Sequence, residues 1–291
     1  MKNKIIINAL SFDVEEWFQN TNMEKYVERR QWDRCESRIE RNMEPILSLL
    51  ETKKTFATFF VLGWVAERHP DLIKRIAAQG HEIATHGWSH MRAYQQTPDE
   101  FEAELKKSIN VLKDITGQPV LGHRAACFSI TPNSQWVIDI LMRNGIIYDS
   151  SIYPVMHDRY GMVGSPRFPY VLRQEKDKRL LEFPLATYKF LKINIPIAGG
   201  GYFRLYPYIF TRWCIDRLNQ EGNPVMVYLH PPEFDTEQPG IKIDPINKFR
   251  IYVGINNNLK KLKKLIEDLR FAPVKEVLFS NITKQLPSVR V

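Results

Sequence analysis

Nowhere in the 291-residue chain is there a run of ~18 uninterrupted apolar residues, which excludes a membrane-spanning helix. Cysteine is scarce. Cys35, Cys127 and Cys214 are an odd number without C-x-x-C spacing, which argues against a disulfide framework or a zinc ribbon and fits a reducing compartment. The N-terminus lacks the long apolar core and small-residue cleavage site of an export signal. MKNKIIINALSFDVEE reaches Asp13 after a short apolar run and reads as a buried first strand, so the expected location is cytoplasmic. No repeat or low-complexity linker marks a boundary, and one α/β barrel domain routinely reaches about 250 residues, so residues 1–291 are expected to form a single domain. A composition of 44% hydrophobic and 25% charged residues excludes a disordered or collagenous chain.

Charge is unevenly weighted, at +8 net, which invites an anionic partner. The bases are mostly interspersed with acids, however, and nucleic-acid binding is not expected. The one dense run, Leu259 to Leu265 (LKKLKKL), sets its leucines on one helical face. It reads as the solvated face of a packed helix, with a weak membrane-surface contact as the alternative.

Apolar runs alternate with helical patterns. Ile5–Phe12 reads as a strand buried on both faces, and Ala57–Leu62, His81–Thr85, Pro119–Leu121 and Pro224–Leu229 as further strands. Helical periodicity covers Arg38–Thr52 (Ile39, Met43, Ile46 and Leu50 on one face), Asp71–Ala78 and Asn133–Asn144. Thr97-Pro98 opens another helix that Gly117 closes. The alternation predicts βαβ units around a parallel sheet, while the Pro-, Gly- and aromatic-rich stretch around 155–205 predicts an antiparallel insertion.

In such folds polar groups at the carboxyl ends of strands carry the chemistry. Asp13, Glu15 and Glu16 follow the first run, His86 and His90 the third, His123 and Arg124 the fourth, and His230 the last. Two histidines at i and i+4 share one face of a helical turn and can share a divalent cation if a carboxylate joins them; the 13–16 cluster supplies candidates. Asp13 is placed to act as a general base and His230 as the acid for a leaving amine. Arg124 favours the ionised form of Asp13 by charge pairing.

These residues stand in motifs that resemble the polysaccharide deacetylases of the NodB-homology type, carbohydrate esterase family 4. SFDVEEWF at 11–18, HEIATHGWSH at 81–90, GHRAACFS at 122–129, YDSS at 148–151 and YLHPPEFD at 228–235 occur in the family's order. GGGYFRLYPYIFTRW at 199–213 and LKKLIEDLRFAPVKEVL at 262–278 resemble the C-terminal extension, about 199–280, of the branch associated with exopolysaccharide gene clusters.

The resemblance implies a distorted (β/α)7 barrel with a divalent metal, zinc first and cobalt or nickel as alternatives, in a groove at its top. His86 and His90 match the family's metal histidines. The usual paired aspartates are replaced by Asp13-Val14-Glu15, so Glu15 is the implied third ligand and Glu16 the reserve. Cys127 stands where an aromatic residue is usual; its backbone N–H, implied to stabilise the oxyanion, survives the exchange, and a buried, inert thiol is expected. His230 matches the catalytic acid, with Asp149 and Glu182 competing to be its partner. Trp17, Phe18, Trp88 and Tyr202 would offer a floor for sugar rings, although core packing is as good a reading for Trp17 and Trp88. The implied function is metal-dependent removal of acetyl groups from N-acetylated sugars of a surface or exopolysaccharide, or of its precursor; cytoplasmic action on a precursor at the inner membrane face would reconcile that function with the absence of a convincing export signal. The alternatives are a cyclic-amide hydrolase on the same fold and a decayed carbohydrate-binding protein.

Overall fold

The computed structural model describes residues 5–157, 160–280 and 286–287. Its strands are β1 (Ile7–Val14), β2 (Thr58–Val61), β3 (Glu82–Thr85), β4 (Gly122–His123), β5 (Tyr148–Asp149), β6 (Tyr170–Glu175), β7 (Lys178–Glu182), β8 (Thr187–Phe190), β9 (Ile193–Pro196), β10 (Met226–Leu229) and β11 (Arg270–Ala272). The main sheet runs β10-β1-β2-β3-β4-β5-β7-β6, parallel throughout except for antiparallel β6, and β11 pairs with the start of β1. β8 and β9 form a separate antiparallel hairpin. The expected α/β architecture and the antiparallel insertion are both present.

Among the described residues no ladder joins the two ends of the sheet. Isolated contacts reach across instead: Tyr228 N–H donates to the Ala198 carbonyl (3.2 Å) beside a single parallel bridge between Gly199 and Tyr228, and Ile197 N–H donates to the Ala186 carbonyl (3.2 Å).

β1 beyond Ile7 and all of β2 are buried on both faces because the sheet is covered on both. Helix Ile39–Thr52 buries Ile39, Met43, Ile46 and Leu50, the face its periodicity predicts. Helix Pro98–Thr116 begins in a capping box, Thr97 Oγ1 accepting from Glu100 N and the Glu100 carboxylate accepting from Thr97 N (2.8 Å). It ends at Gly117 with φ of 68°, the left-handed value glycine takes without strain. The lysine-rich segment forms helix Asn258–Asp268, with Leu262 and Leu265 fully buried and Leu259 at the edge of exposure. Lys261 turns inward and donates to the carbonyls of Phe203, Arg204 and Tyr206.

Three elements differ from expectation. The strand expected at Pro119–Leu121 lies two residues later, as β4, where Gly122 permits the Tyr148 ring of β5 to lie against its backbone; a Cβ there would meet that ring at 2.0 Å. The helix expected from Asn133 starts at Trp136, behind a 3-10 turn at Pro132–Ser134. A further helix, Gly63–Arg68, follows β2, its first residue pressed against Trp88. No helix among the described residues is long and apolar enough to cross a membrane.

Candidate active site

A cavity of about 310 Å³ opens at the carboxyl ends of β1, β3 and β10. On one side Glu15, His86 and His90 converge, with ligand-type atoms within 4.8 Å of one another and all three side chains buried. Glu15 Oε2 lies 3.0 Å from His90 Nε2 and 4.0 Å from His86 Nε2. His86 Nδ1 is 2.8 Å from the Arg124 carbonyl oxygen; a carbonyl only accepts, so Nδ1 carries the proton and the Nε2 lone pair faces Glu15. Burial brings His86 down to about 4, which keeps it neutral. Burial also pushes Glu15 up, but the imidazoles of His90, His230 and His86 outweigh it and hold the carboxyl at about 2. Glu15 Oε2 nevertheless has no hydrogen-bond partner. A buried carboxylate oxygen that meets no aligned donor, although His90 Nε2 is 3.0 Å away, forms with two imidazole nitrogens a group of the kind that suits a divalent cation.

The histidines do not share a helical turn. Residues 86–90 form a loop, with φ of 78° at Gly87 and 54° at His90, and this reversal brings the second imidazole back beside the first. Glu16, the reserve ligand, is directed elsewhere. Its carboxylate accepts from the backbone N–H of Arg38 and Ile39 and from the Ser37 hydroxyl at the start of helix Ile39–Thr52.

Opposite the cluster, Asp13 Oδ1 pairs with Arg124 Nη1 at 2.5 Å. Arg124 is fully buried. Its guanidinium also donates to Ser11 Oγ, the Ser150 carbonyl and Ser150 Oγ, and lies over the Phe60 ring at 4.0 Å. The other Asp13 oxygen is 3.6 Å from His230 Nε2. His230 Nδ1 is 3.0 Å from Glu233 Oε1. Burial disfavours the imidazolium, yet Glu233, Glu15 and Asp13 together raise His230 to about 9. Glu233 is buried and approached in turn by Arg204 Nε at 3.8 Å, while Arg204 donates to the carbonyls of Arg250, Ile251 and Val253.

Glu233 therefore takes the place expected of Asp149 or Glu182. Asp149 accepts from His123 Nδ1 (2.7 Å) and from Ser151 N and Oγ, all buried. Glu182 is raised well above the carboxylate range by burial and then by the charge of Asp149, and accepts from Ile152 N. A signal for Glu233 was present in the sequence: HPPE opens a 3-10 turn, in which side chains at i and i+3 eclipse. Glu24 also escaped the sequence reading. With His90 and Cys127 it forms a second group of close ligand-type atoms, and Arg92 Nη2 holds its carboxylate at 2.7 Å.

Cys127 lines the cavity with φ of 54°, its Sγ 2.7 Å from Thr21 Oγ1; burial pushes the thiol up to about 11, so a thiolate is disfavoured. Tyr202 lines the cavity as well. Trp17 does not: it packs on Phe18 and donates from Nε1 to the Glu36 carbonyl. Trp88 also lies outside it, against Gly63 and under Lys107 Nζ at 3.4 Å. His157 and Tyr160, stacked at 3.8 Å, complete the wall.

Comparison with known proteins bears on the family and the fold. Residues 30–140 match the family model described as Polysaccharide deacetylase, and residues 150–279 match a second, described as a Domain of unknown function (DUF3473). The chain is 27% identical over 173 residues to a peptidoglycan deacetylase of Helicobacter pylori, covering 60% of this chain and 53% of that one. It is 32% identical over 99 residues to a chitooligosaccharide deacetylase of Rhizobium leguminosarum bv. trifolii, covering 34% and 43%. The match thus spans about half the length of these curated relatives. A solved structure from Mycobacterium smegmatis, described as a polysaccharide deacetylase, superposes over 100% of this chain and 95% of its own with a TM-score of 0.68 at 20% identity, a likeness of fold.

Proposed function

Since the chain carries a polysaccharide deacetylase domain of the NodB type, we propose that it hydrolyses the acetyl amide of an N-acetylated sugar in a surface or exopolysaccharide, or in its precursor, and that it does so with a divalent cation. The observation that carries this reading is the donorless carboxylate oxygen of Glu15 facing His86 and His90, with Asp13 and His230 across the same cavity. Glu15, His86 and His90 hold the cation; two imidazoles and one carboxylate suit zinc, with cobalt or nickel as substitutes. When bound, the cation supplies Lewis acidity to the acetyl carbonyl and to water near neutral pH.

The chain's own residues do the rest. Asp13, fixed by Arg124, accepts a proton from the attacking water. The Cys127 backbone N–H, at the cavity wall, is the donor this reading assigns to the developing oxyanion, a role independent of the thiol. His230, held at about 9 and oriented by Glu233, is protonated at neutral pH and passes its proton to the departing amine. Tyr202, and His157 backed by its stack on Tyr160, are the rings placed to meet a sugar.

The test is acetate release from N-acetylated oligosaccharides and nucleotide-linked sugars by purified protein, after chelation and after zinc, cobalt or nickel is restored. Release that disappears with chelation and returns with metal is the expected result, and His86→Ala or His90→Ala should lower metal content and turnover together. Undiminished release from metal-free protein would overturn the metal assignment. Opening of a cyclic amide such as allantoin without any acetate release would overturn the substrate assignment.

A further inference from the structure

Away from the cavity, exposed apolar side chains gather on the β8–β9 hairpin and the helix that follows. Phe190, Leu191 and Ile193 are 60%, 84% and 69% exposed, and on helix Tyr208–Gln220 Ile209 and Trp213 are 79% and 43% exposed. The hairpin register pairs Tyr188 with Ile195 and Phe190 with Ile193, so one face carries four apolar side chains while Lys189 and Asn194 share the other. Tyr188 meets the Trp213 ring at 5.2 Å, and Ile209 precedes Trp213 by one helical turn, which joins the two surfaces. Tyr188 is half-buried, packing on the core as well as on Trp213, whereas Phe190 and Ile193 on the same hairpin face are exposed.

The hairpin tip breaks the usual turn chemistry. Leu191 has φ of 53°, a conformation that glycine or asparagine adopts at little cost and leucine does not. An unfavourable turn residue is thus kept where its side chain is almost wholly in water.

Charge at the hairpin tip is basic, while Asp216 and Asp268 farther along and beside the helix are paired with Arg212. From Phe183 through Ile215 the chain contains no acidic residue, whereas Lys189 and Lys192 flank the tip and Arg217 stands 5.7 Å from the Trp213 ring. Protein–protein interface cores are depleted of lysine. An apolar tip bracketed by long cationic side chains, with a tryptophan one layer behind, is matched instead to a surface that is anionic outside and hydrocarbon within.

We propose that the β8–β9 hairpin and the Ile209–Trp213 face dock this protein onto an anionic lipid bilayer, Phe190, Leu191 and Ile193 entering the headgroup boundary and Lys189 and Lys192 pairing with lipid phosphates. The hairpin leaves the carboxyl end of β7, and Asn194 Nδ2 donates to the Pro154 carbonyl (2.7 Å), just before the cavity-lining His157. Docking therefore sets the site beside the membrane, and the docking itself is independent of what the site hydrolyses.

Co-sedimentation of the full chain with vesicles of phosphatidylcholine, alone or with about one-third phosphatidylglycerol, tests the proposal. Partition should favour the anionic vesicles and weaken with salt. The triple variant Phe190→Ser, Leu191→Ser, Ile193→Ser should reduce it at least about tenfold. Lys189→Glu with Lys192→Glu should remove the preference for anionic lipid. Leu191→Gly relieves the turn, so it should fold at least as well as the parent and still bind less. The proposal fails if the parent protein binds neither vesicle, or if the triple variant binds equally well. It fails too if the parent is a dimer that the triple variant converts to monomer, since a second copy of the chain would then be what covers the patch.

Discussion

His230 stands between two carboxylates, Asp13 on its Nε2 side and Glu233 on its Nδ1 side, and that placement governs its proton. Its value of about 9 lies above that of a free imidazole, so the folded state binds the proton more tightly than the unfolded chain. The stabilisation is complete below the ordinary histidine range and is lost as pH rises through about 9. If the protonated form is the acid, the alkaline limb of kcat/KM should fall near pH 9. Glu233→Gln removes the leading favourable charge and should shift that limb toward neutral by ~1–2 units, read from the pH–rate profile. An unmoved limb would detach Glu233 from His230. Asp13, Glu15, His86, His90, Arg124 and His230 could be named from motif order alone, because each follows or closes an apolar run. Glu233 and Glu24 could not. The first depends on the local 3-10 geometry of a proline pair, the second on a loop that meets His90 only in three dimensions.

Elements with strong punctuation were the legible ones. Helix Pro98–Thr116 announces itself by Thr97, Pro98 and Glu100 at one end and Gly117 at the other. Thr97→Ala should cost about 1 kcal/mol in denaturant unfolding, with little effect on the site. Strands β4 and β5 have two residues each, too short for any period to register, and their place is set by packing rather than pattern. Gly122→Ala tests this: its Cβ would fall 2.0 Å from the Tyr148 ring, so a loss of ~1–3 kcal/mol is expected in the same measurement. The His86–His90 segment misleads for a related reason. Spacing of i and i+4 is shared by helices and by this loop, and only the backbone reversals at Gly87 and His90 distinguish them.

At the scale of the whole molecule, the cavity draws on both matched segments and on the strand before them. Asp13 and Glu15 come from the end of β1, His86 and His90 from the first segment, and Tyr202, His230 and Glu233 from the second. A cation held by Glu15, His86 and His90, as proposed, would tie the end of β1 to the loop after β3 and act as a staple between them. At a hundredfold excess over its dissociation constant a ligand confined to the folded state adds ~2.7 kcal/mol, which for a chain of this size raises Tm by roughly 4–5 °C. Thermal melts with zinc and with chelator should differ by this order, and Glu15→Gln should remove most of the difference. Equal melts would argue against a cation at this position.

Arg124 belongs to two accounts at once. It links the Asp13 carboxylate to Ser150 after β5 and lies over the Phe60 ring. Truncating it leaves a buried anion without its counter-charge and a void where the guanidinium lay, losses of the kind that unfold a marginally stable chain. In a cell, missense changes at this position would be cleared by quality control before their chemistry was ever tested, so abundance and competence fall together. A lineage drifting toward an inert but well-folded descendant would have to leave Arg124 in place and lose its activity elsewhere.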